Sequence, residues 1–309
     1  MQANDMNRRE LLLGGLAGAA TMASGQTPLE KRICLFTDHL DGASGFSYKE
    51  VARMLAQLGV SGPDLTVRRG GLVKAERVTE DLPKAAAIFK DHGLTIPMIT
   101  TSLTNAAEAR DVLEVASQVG IKYYKVGYMG YEDMDHWRER RARARKDLEG
   151  LVRLGKRLGM HAGFHNHSGP IVGGTLWDCF DLVEQHDRKW LGIFFDIAHA
   201  TIEGGKNGWN IGFRRIRNRV TMAAIKDFVW EKVKGKWRTR WVPLGEGMVP
   251  FAEYIPLLLK TRLPGPLSLH IEYDPGGKTK AERFDRSFEA AARDLKFLRE
   301  QLRGAHQGV

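Results

Sequence analysis

A chain of 309 residues with 43% hydrophobic content can bury one large core, and a single (β/α)8 barrel of about 250 residues accounts for most of it. The formal charge of +10 would suit a polyanion, but the basic residues are spread along the chain except for Arg138 to Lys146, "RERRARARK". That run precedes Leu148, Leu151, Val152 and Leu154 in a helical pattern, reads as a solvated helix face and has no interleaved aromatics to stack bases, so no nucleic-acid partner is expected.

The first residues form a different kind of sequence. An Arg8-Arg9 pair is followed by an apolar stretch too short to span a bilayer as a mature helix, then by small residues near Ala23. Residues 1–25 are expected to be an export signal of the twin-arginine type. The mature chain is then expected in the periplasm, with no stable membrane insertion.

From Lys31 onward, β-rich runs alternate with amphipathic helical ones. "RICLFT" predicts a strand and "SYKEVARMLAQLG" a helix closed by Gly59. The pairs "PDLTVRR" and "DLPKAAAIFKDHG", "LTIPMITT" and "NAAEARDVLEVASQVG", and "KYYKVGY" with the long basic helix follow. Next come "MHAGFHNH" with "TLWDCFDLVEQH", then "LGIFFDIAH" with a weaker helical segment, "WNIGFRRIRN". "TMAAIKDF" with "FAEYIPLLLKT", and "PLSLHIEYD" with a long closing helix, complete eight repeats. Right-handed repetition of this number closes as a (β/α)8 barrel, and no glycine-rich dinucleotide loop follows the first strand to favour an open sheet. One irregularity, "VWEKVKGKWRTRWVPLGEGM", predicts a hairpin turning at Lys234-Gly235 over the catalytic face. Cys34 and Cys179 fall in a strand and a helix as buried thiols and imply no disulfide framework.

In such a barrel the active site lies at the C-terminal ends of the strands. Strand five ends with His165 and His167, strand six with Asp196 followed by His199, strand seven with Lys226 and Asp227, and strand eight carries His270, Glu272 and Asp274. Alternation puts His165 with His167, and His270 with Glu272, on one face, while Asn166 and Ile271 point the other way. Imidazole and carboxylate groups at one mouth suit manganese, zinc or cobalt better than calcium.

The segments "DLTVRRGG", "GFHNHSG", "FFDIAHA", "IKDF", "PLGEGMV" and "LSLHIEY", in this order and spacing, resemble the sugar phosphate isomerase/epimerase family with the xylose isomerase-like TIM barrel. The resemblance covers nearly the whole chain after the leader and makes residues 26–309 one such domain. It implies a divalent metal at the ends of strands five to eight and a proton moved between adjacent sugar carbons through an enediolate. By position, Asp196 corresponds to the strand-six metal aspartate, His199 to a substrate-binding histidine, and Lys226-Asp227 to the end of an "H-x-K-D" pattern. His270 or Glu272 falls at the strand-eight glutamate. Two positions depart from the family: His165 stands where many members have a strand-five glutamate, and Ala224 where strand seven has a metal histidine. The usual metal set is therefore incomplete unless His165, His167 or His270 compensates.

The expected chemistry is proton abstraction next to the carbonyl of a free or oxidised sugar. His165 and Glu272 serve as acid and base, and Lys226 or a metal stabilises the oxyanion. Asp196, His165, His270 and Glu272 are the candidate metal ligands. His167, His199, Arg68 and Asp227 are expected to contact substrate, with Lys125 a further candidate, and Trp230, Trp237 and Trp241 on the hairpin could stack on a sugar ring. Rival readings are a lyase eliminating a group beta to the carbonyl and a carbohydrate-binding protein without catalysis. An abasic-site endonuclease on the same fold needs more metal ligands than this mouth has. Related barrels commonly dimerise, which makes a homodimer an expectation of the resemblance.

Overall fold

The computed structural model describes residues 28–41 and 44–307, so the expected leader lies outside the described residues. Eight parallel strands close a barrel: β1 Ile33–Phe36, β2 Pro63–Val67, β3 Met98–Thr101, β4 Tyr123–Lys125, β5 His161–His165, β6 Leu191–Asp196, β7 Val220–Ile225 and β10 Leu267–Leu269. Closure is made by β1 against β10, with Ile33 opposite Leu267 and Leu35 opposite Leu269. The remaining two strands, β8 Asp227–Val233 and β9 Lys236–Val242, pair only with each other as the expected hairpin. Its turn residues Lys234 and Gly235 both have positive φ, the backbone that matches the right-handed twist of a two-residue hairpin.

Helices α1 Tyr48–Leu58, α2 Val78–Asp91, α3 Ala106–Gln118, α4 Trp137–Leu158, α5 Leu176–Val183, α6 Ile197–Ile216, α7 Phe251–Leu259 and α8 Lys280–Gln307 surround the barrel. Their ends follow local chemistry. Ser47 and Glu50 form a reciprocal capping box at the start of α1, and Gly59 ends that helix in the left-handed conformation. Within the basic run on α4, Arg143 and Lys146 face solvent, whereas Arg141 pairs with Asp178 and Asp181 and ties α4 to α5. Both cysteines are buried and free. Among the described residues, no helix is long and apolar enough to cross a membrane.

The sixth helix departs from expectation. It begins at Ile197, directly after β6, and runs to Ile216 across a kink at Gly205, where only "WNIGFRRIRN" was expected to be helical. The Asp196 side chain accepts from the His199 amide and starts the helix there. His199 therefore sits on a helical first turn, not on a loop.

Two packed layers hold the barrel. Most apolar side chains lie between strands and helices, while Cys34, Met98, Phe194, Met222 and Ala224 form a separate cluster inside the barrel. Gly163 leaves room for that inner layer, because a Cβ there would run into the Met222 side chain and come within 3.0 Å of Phe194 Cβ. A Gly163→Val chain is expected to lose about 1–3 kcal/mol through overpacking. Urea unfolding checks this, and an unchanged midpoint would mean that β5 is not pressed against the inner layer.

Candidate active site

Asp196 is the last residue of β6 and the N-cap of α6, and these two positions divide its carboxylate. Oδ1 accepts from the His199 amide at 3.0 Å, and Oδ2 turns to the centre of the mouth. Asn166 fixes the backbone beneath it twice, its Nδ2 donating to Asp196 O (2.9 Å) and its Oδ1 accepting from Asp196 N (2.8 Å). Asp196 and Asn166 are both fully buried.

Lys226, directly after β7, reaches into this centre. Its Nζ lies 3.3 Å from Asp196 Oδ2, 2.9 Å from Glu272 Oε1 and 2.8 Å from His199 Nε2, and 4.2 Å from the centre of the Trp241 ring. Burial pulls the ammonium down, but Asp196 and Glu272 outweigh it and hold Lys226 above the ordinary lysine value. Burial likewise opposes the two carboxylates. Lys226 overcomes it, with His199 and His165 helping at Asp196 and His270 at Glu272, and both remain ionised well below the usual carboxylate range.

His165 and His199 are neutral for the converse reason. Burial pushes His165 down to about 3 despite Asp196, and burial with the Lys226 charge pushes His199 well below the usual imidazole value. Their partners set the tautomers. A lysine can only donate, so His199 Nε2 accepts and its Nδ1–H donates to Ser168 Oγ at 2.9 Å. Tyr128, kept a neutral phenol by burial and the Glu272 and Asp196 charges, pairs with His165 Nδ1 at 2.9 Å, and because the Asp196 carboxylate that faces Nε2 can only accept, the hydroxyl is the donor at Nδ1. The hydrogen on His165 then sits on Nε2, 3.5 Å from Asp196 Oδ2, and the ring stacks on Phe194 at 4.7 Å.

His270 stacks on Phe36 at 4.2 Å and donates from Nδ1 to Glu272 Oε1 at 3.1 Å. Its Nε2 faces Asp64 at 3.8 Å, whose carboxylate accepts from Thr100 and Ser268, each at 2.7 Å. His167 is half-buried at the rim, 3.8 Å ring to ring from His199 and 4.4 Å from Tyr128. Lys125 is buried with its Nζ 3.5 Å from the centre of the Tyr128 ring, and burial with the Arg68 charge pushes it down to about 7.

The mouth thus gathers His165, His167, Asp196, His199, Lys226, His270 and Glu272. Two residues expected at the substrate have other work in this structure. Asp227 turns its carboxylate away onto the amides of Phe228 (2.8 Å) and of Gly245, Gly247 and Val249 (3.0 Å each), and so organises the loop after the hairpin. Arg68 pairs at the rim with Asp38. Of the hairpin tryptophans, Trp241 lines the mouth, whereas Trp237 is 65% exposed and Trp230 packs beside Phe228.

The expected metal ligands do not form a set that fits a metal. Among the described residues, no three His, Cys, Asp or Glu side chains converge to hold an ion. The Lys226 ammonium lies between Asp196 and Glu272, the His165 Nε2 carries a hydrogen in place of a lone pair, and Ala224 offers no donor opposite Asp196. Asp196 Oδ2, His165 Nε2 and His270 Nε2 are each buried without a hydrogen-bond partner, but together with Glu272 they are not arranged as the set expected for manganese, zinc or cobalt.

Residues 52–301 match the family described as "Xylose isomerase-like TIM barrel". The chain belongs to that family. No curated protein matches it at a significant level. Solved structures with the same fold include a 3-keto-D-glucoside 4-epimerase from E. coli (14% identity, TM-score 0.63, covering 85% of this chain and 98% of that one). A second is a xylose isomerase-like TIM barrel protein from Mycobacterium smegmatis in complex with magnesium (15%, 0.63, 88% and 97%). A third is a probable 3-DHS dehydratase from Bacillus anthracis (16%, 0.63, 86% and 98%).

Asn166 and Tyr128 escaped the reading of the sequence. Asn166 was set aside by strand alternation, and Tyr128 lies three residues past the end of β4, where no periodicity reports direction. The spacing of Tyr128 from Lys125, which ends β4, is the signal that could have found it.

Lys125 yields a pH prediction. Folding holds it at about 7, against an ordinary value of 10.5, so between these values the unfolded chain binds more protons. This group's contribution therefore makes stability rise as the pH is raised from 7 toward 10. Chemical denaturation across that range should show the rise, and Lys125→Met should flatten it.

Proposed function

We propose that the protein is a sugar isomerase or epimerase that moves a proton next to the carbonyl of a free or oxidised sugar. The observation that carries this reading is one ammonium held between two ionised carboxylates, with neutral imidazoles across the mouth. A proton beside a carbonyl is too weakly acidic to leave unless charge is stabilised on the neighbouring oxygen. Lys226 is the charge placed to do that, because its Nζ is fixed and desolvated before substrate arrives.

Glu272 is the base. Asp196 is fully buried and spends one oxygen on the helix cap, whereas the Glu272 side chain is 20% exposed and reachable from outside. When the substrate oxygen takes up the Lys226 ammonium, Glu272 loses part of the charge that holds it so far down, which strengthens it as a base. His165, oriented by Tyr128, presents Nε2–H as the acid that returns a proton. His167 and His199 supply polar contacts to the sugar from the rim and the α6 turn.

The fold shared with the 3-keto-D-glucoside epimerase supports a sugar that already carries a keto group. The export signal expected at residues 1–25 points the same way, since phosphorylated sugars are kept largely inside cells and the periplasm would offer free sugars and glycosides. A lyase is the second reading, supported by the fold shared with the probable dehydratase. If the carbon beta to the carbonyl bears a leaving group, the same enediolate expels it.

The test is chromatography of ketohexoses and 3-keto-glucosides incubated with the protein. Glu272→Gln is expected to lower kcat by about 10²–10⁴-fold, and Lys226→Met by about 10²–10³-fold, with sugar affinity retained in Glu272→Gln. Epimeric products support the reading, and an unsaturated product assigns the lyase. Sugar binding with no turnover by the wild-type chain would contradict both and leave a binding protein.

A further inference from the structure

Three donors on three different elements each face the Lys226 ammonium at the mouth: Asp196 Oδ2 from the end of β6, His199 Nε2 from the first turn of α6, and Glu272 Oε1 from the segment after β10. They lie 3.3, 2.8 and 2.9 Å from Lys226 Nζ respectively. We infer that the Lys226 ammonium is a built-in substitute for a divalent cation, so that this chain works with a charge carried on its own side chain and binds no divalent metal at the mouth.

Four observations carry the inference. The donors are of the kinds that hold transition metals, two carboxylates and an imidazole nitrogen whose lone pair faces the centre, yet Glu272 and His199 accept hydrogen bonds from an ammonium and Asp196 Oδ2 pairs with it through charge alone at 3.3 Å. Ala224 is the β7 residue opposite Asp196, and its methyl belongs to the inner apolar cluster with Met98, Phe194 and Met222. No ligand can come from that position. On the other side of Asp196, His165 Nδ1 is taken by the Tyr128 hydroxyl, leaving the Nε2–H edge 3.5 Å from Asp196 Oδ2. Trp241 also covers the ammonium, its ring centre 4.2 Å from Nζ, which favours the cation staying where it is.

A divalent ion could enter only by expelling Lys226, and the displaced ammonium would have to leave an enclosure in which Lys226 is 2% exposed. Both cations cannot share the site, because two carboxylates would then face three positive charges. Exchange of a resident metal for a tethered ammonium also changes the chemistry available. A lysine offers one charge and hydrogen-bond donors directed at a single oxygen, which suits stabilising one enediolate oxygen better than chelating two.

The inference deepens the reading of the mouth as a proton-transfer site and rests on it for the use of the ammonium in catalysis. Its test needs no sugar, so the two can fail separately. Protein free of any histidine tag is stripped with EDTA, equilibrated with Mn²⁺, Co²⁺ or Zn²⁺, passed through a desalting column and analysed for metal, with thermal unfolding followed in parallel. Wild-type protein is expected to retain no ion and to unfold at the same temperature with Mn²⁺ or with EDTA. Lys226→Ala vacates the centre, and is expected to retain one ion per chain and to unfold at a higher temperature with Mn²⁺. Adding Glu272→Gln to it should abolish both effects. Lys226→Gln serves the same comparison if the alanine chain does not fold. A stoichiometric ion in the wild type that is lost in Asp196→Ala would overturn the inference. Failure of the folded Lys226 variants to gain an ion would overturn it as well, since the ammonium would then not stand at a metal position.

Discussion

An ammonium buried between two carboxylates is the constraint on which the rest of the mouth depends. Each charge alone would be driven toward its neutral form by burial, and removing one partner from such a group typically costs about 3–5 kcal/mol. Lys226, Asp196 and Glu272 remain charged only together. Because their attraction depends on distances of about 3 Å, the backbones that deliver them must be fixed just as closely, and the surrounding structure does this. Asn166 pins the end of β6, the α6 helix takes one Asp196 oxygen, and the amides of Gly245, Gly247 and Val249 anchor the residue next to Lys226.

The neutral histidines follow from the same cluster. With a net of one negative charge from these three groups, a protonated imidazole would gain from Asp196, but burial and the Lys226 charge outweigh that gain at His199, and burial with the Lys125 and Lys226 charges outweighs it at His165. The outcome is a site with its charge gathered at the centre and uncharged donors around it. Such an arrangement is prepared for an oxygen that becomes negative during reaction, since no group must reorient when the charge develops.

How much of this is readable from sequence depends on whether a local rule governs the residue. Strand alternation, glycine at helix ends and the number of repeats led to the closed barrel. The Lys234-Gly235 turn led to the hairpin, because each is set by nearest neighbours. His165 and Asp196 end β5 and β6, Lys226 directly follows β7 and Glu272 lies three residues beyond β10, so the rule that a barrel's site gathers at this face singled them out. Alternation fails one residue past a strand: Asn166 turns inward to the Asp196 backbone, and Asp227, adjacent to Lys226 in sequence, faces the loop amides. The early start of α6 was hidden because its N-cap is also a site residue. That the two carboxylates close on a lysine is a matter of three-dimensional distance, and no spacing in the chain encodes it.

The measurement that reaches the central claim most directly is hydrogen exchange at carbon. A 3-keto-glucoside or ketohexose is incubated with the protein in D₂O, and the C–H next to the carbonyl is followed by NMR. Proton abstraction at the Lys226–Glu272 centre predicts deuterium entering at that carbon in the wild type and not in Glu272→Gln. A sugar that binds and keeps its hydrogen with the wild-type protein would contradict the account and return the mouth to a role in binding alone.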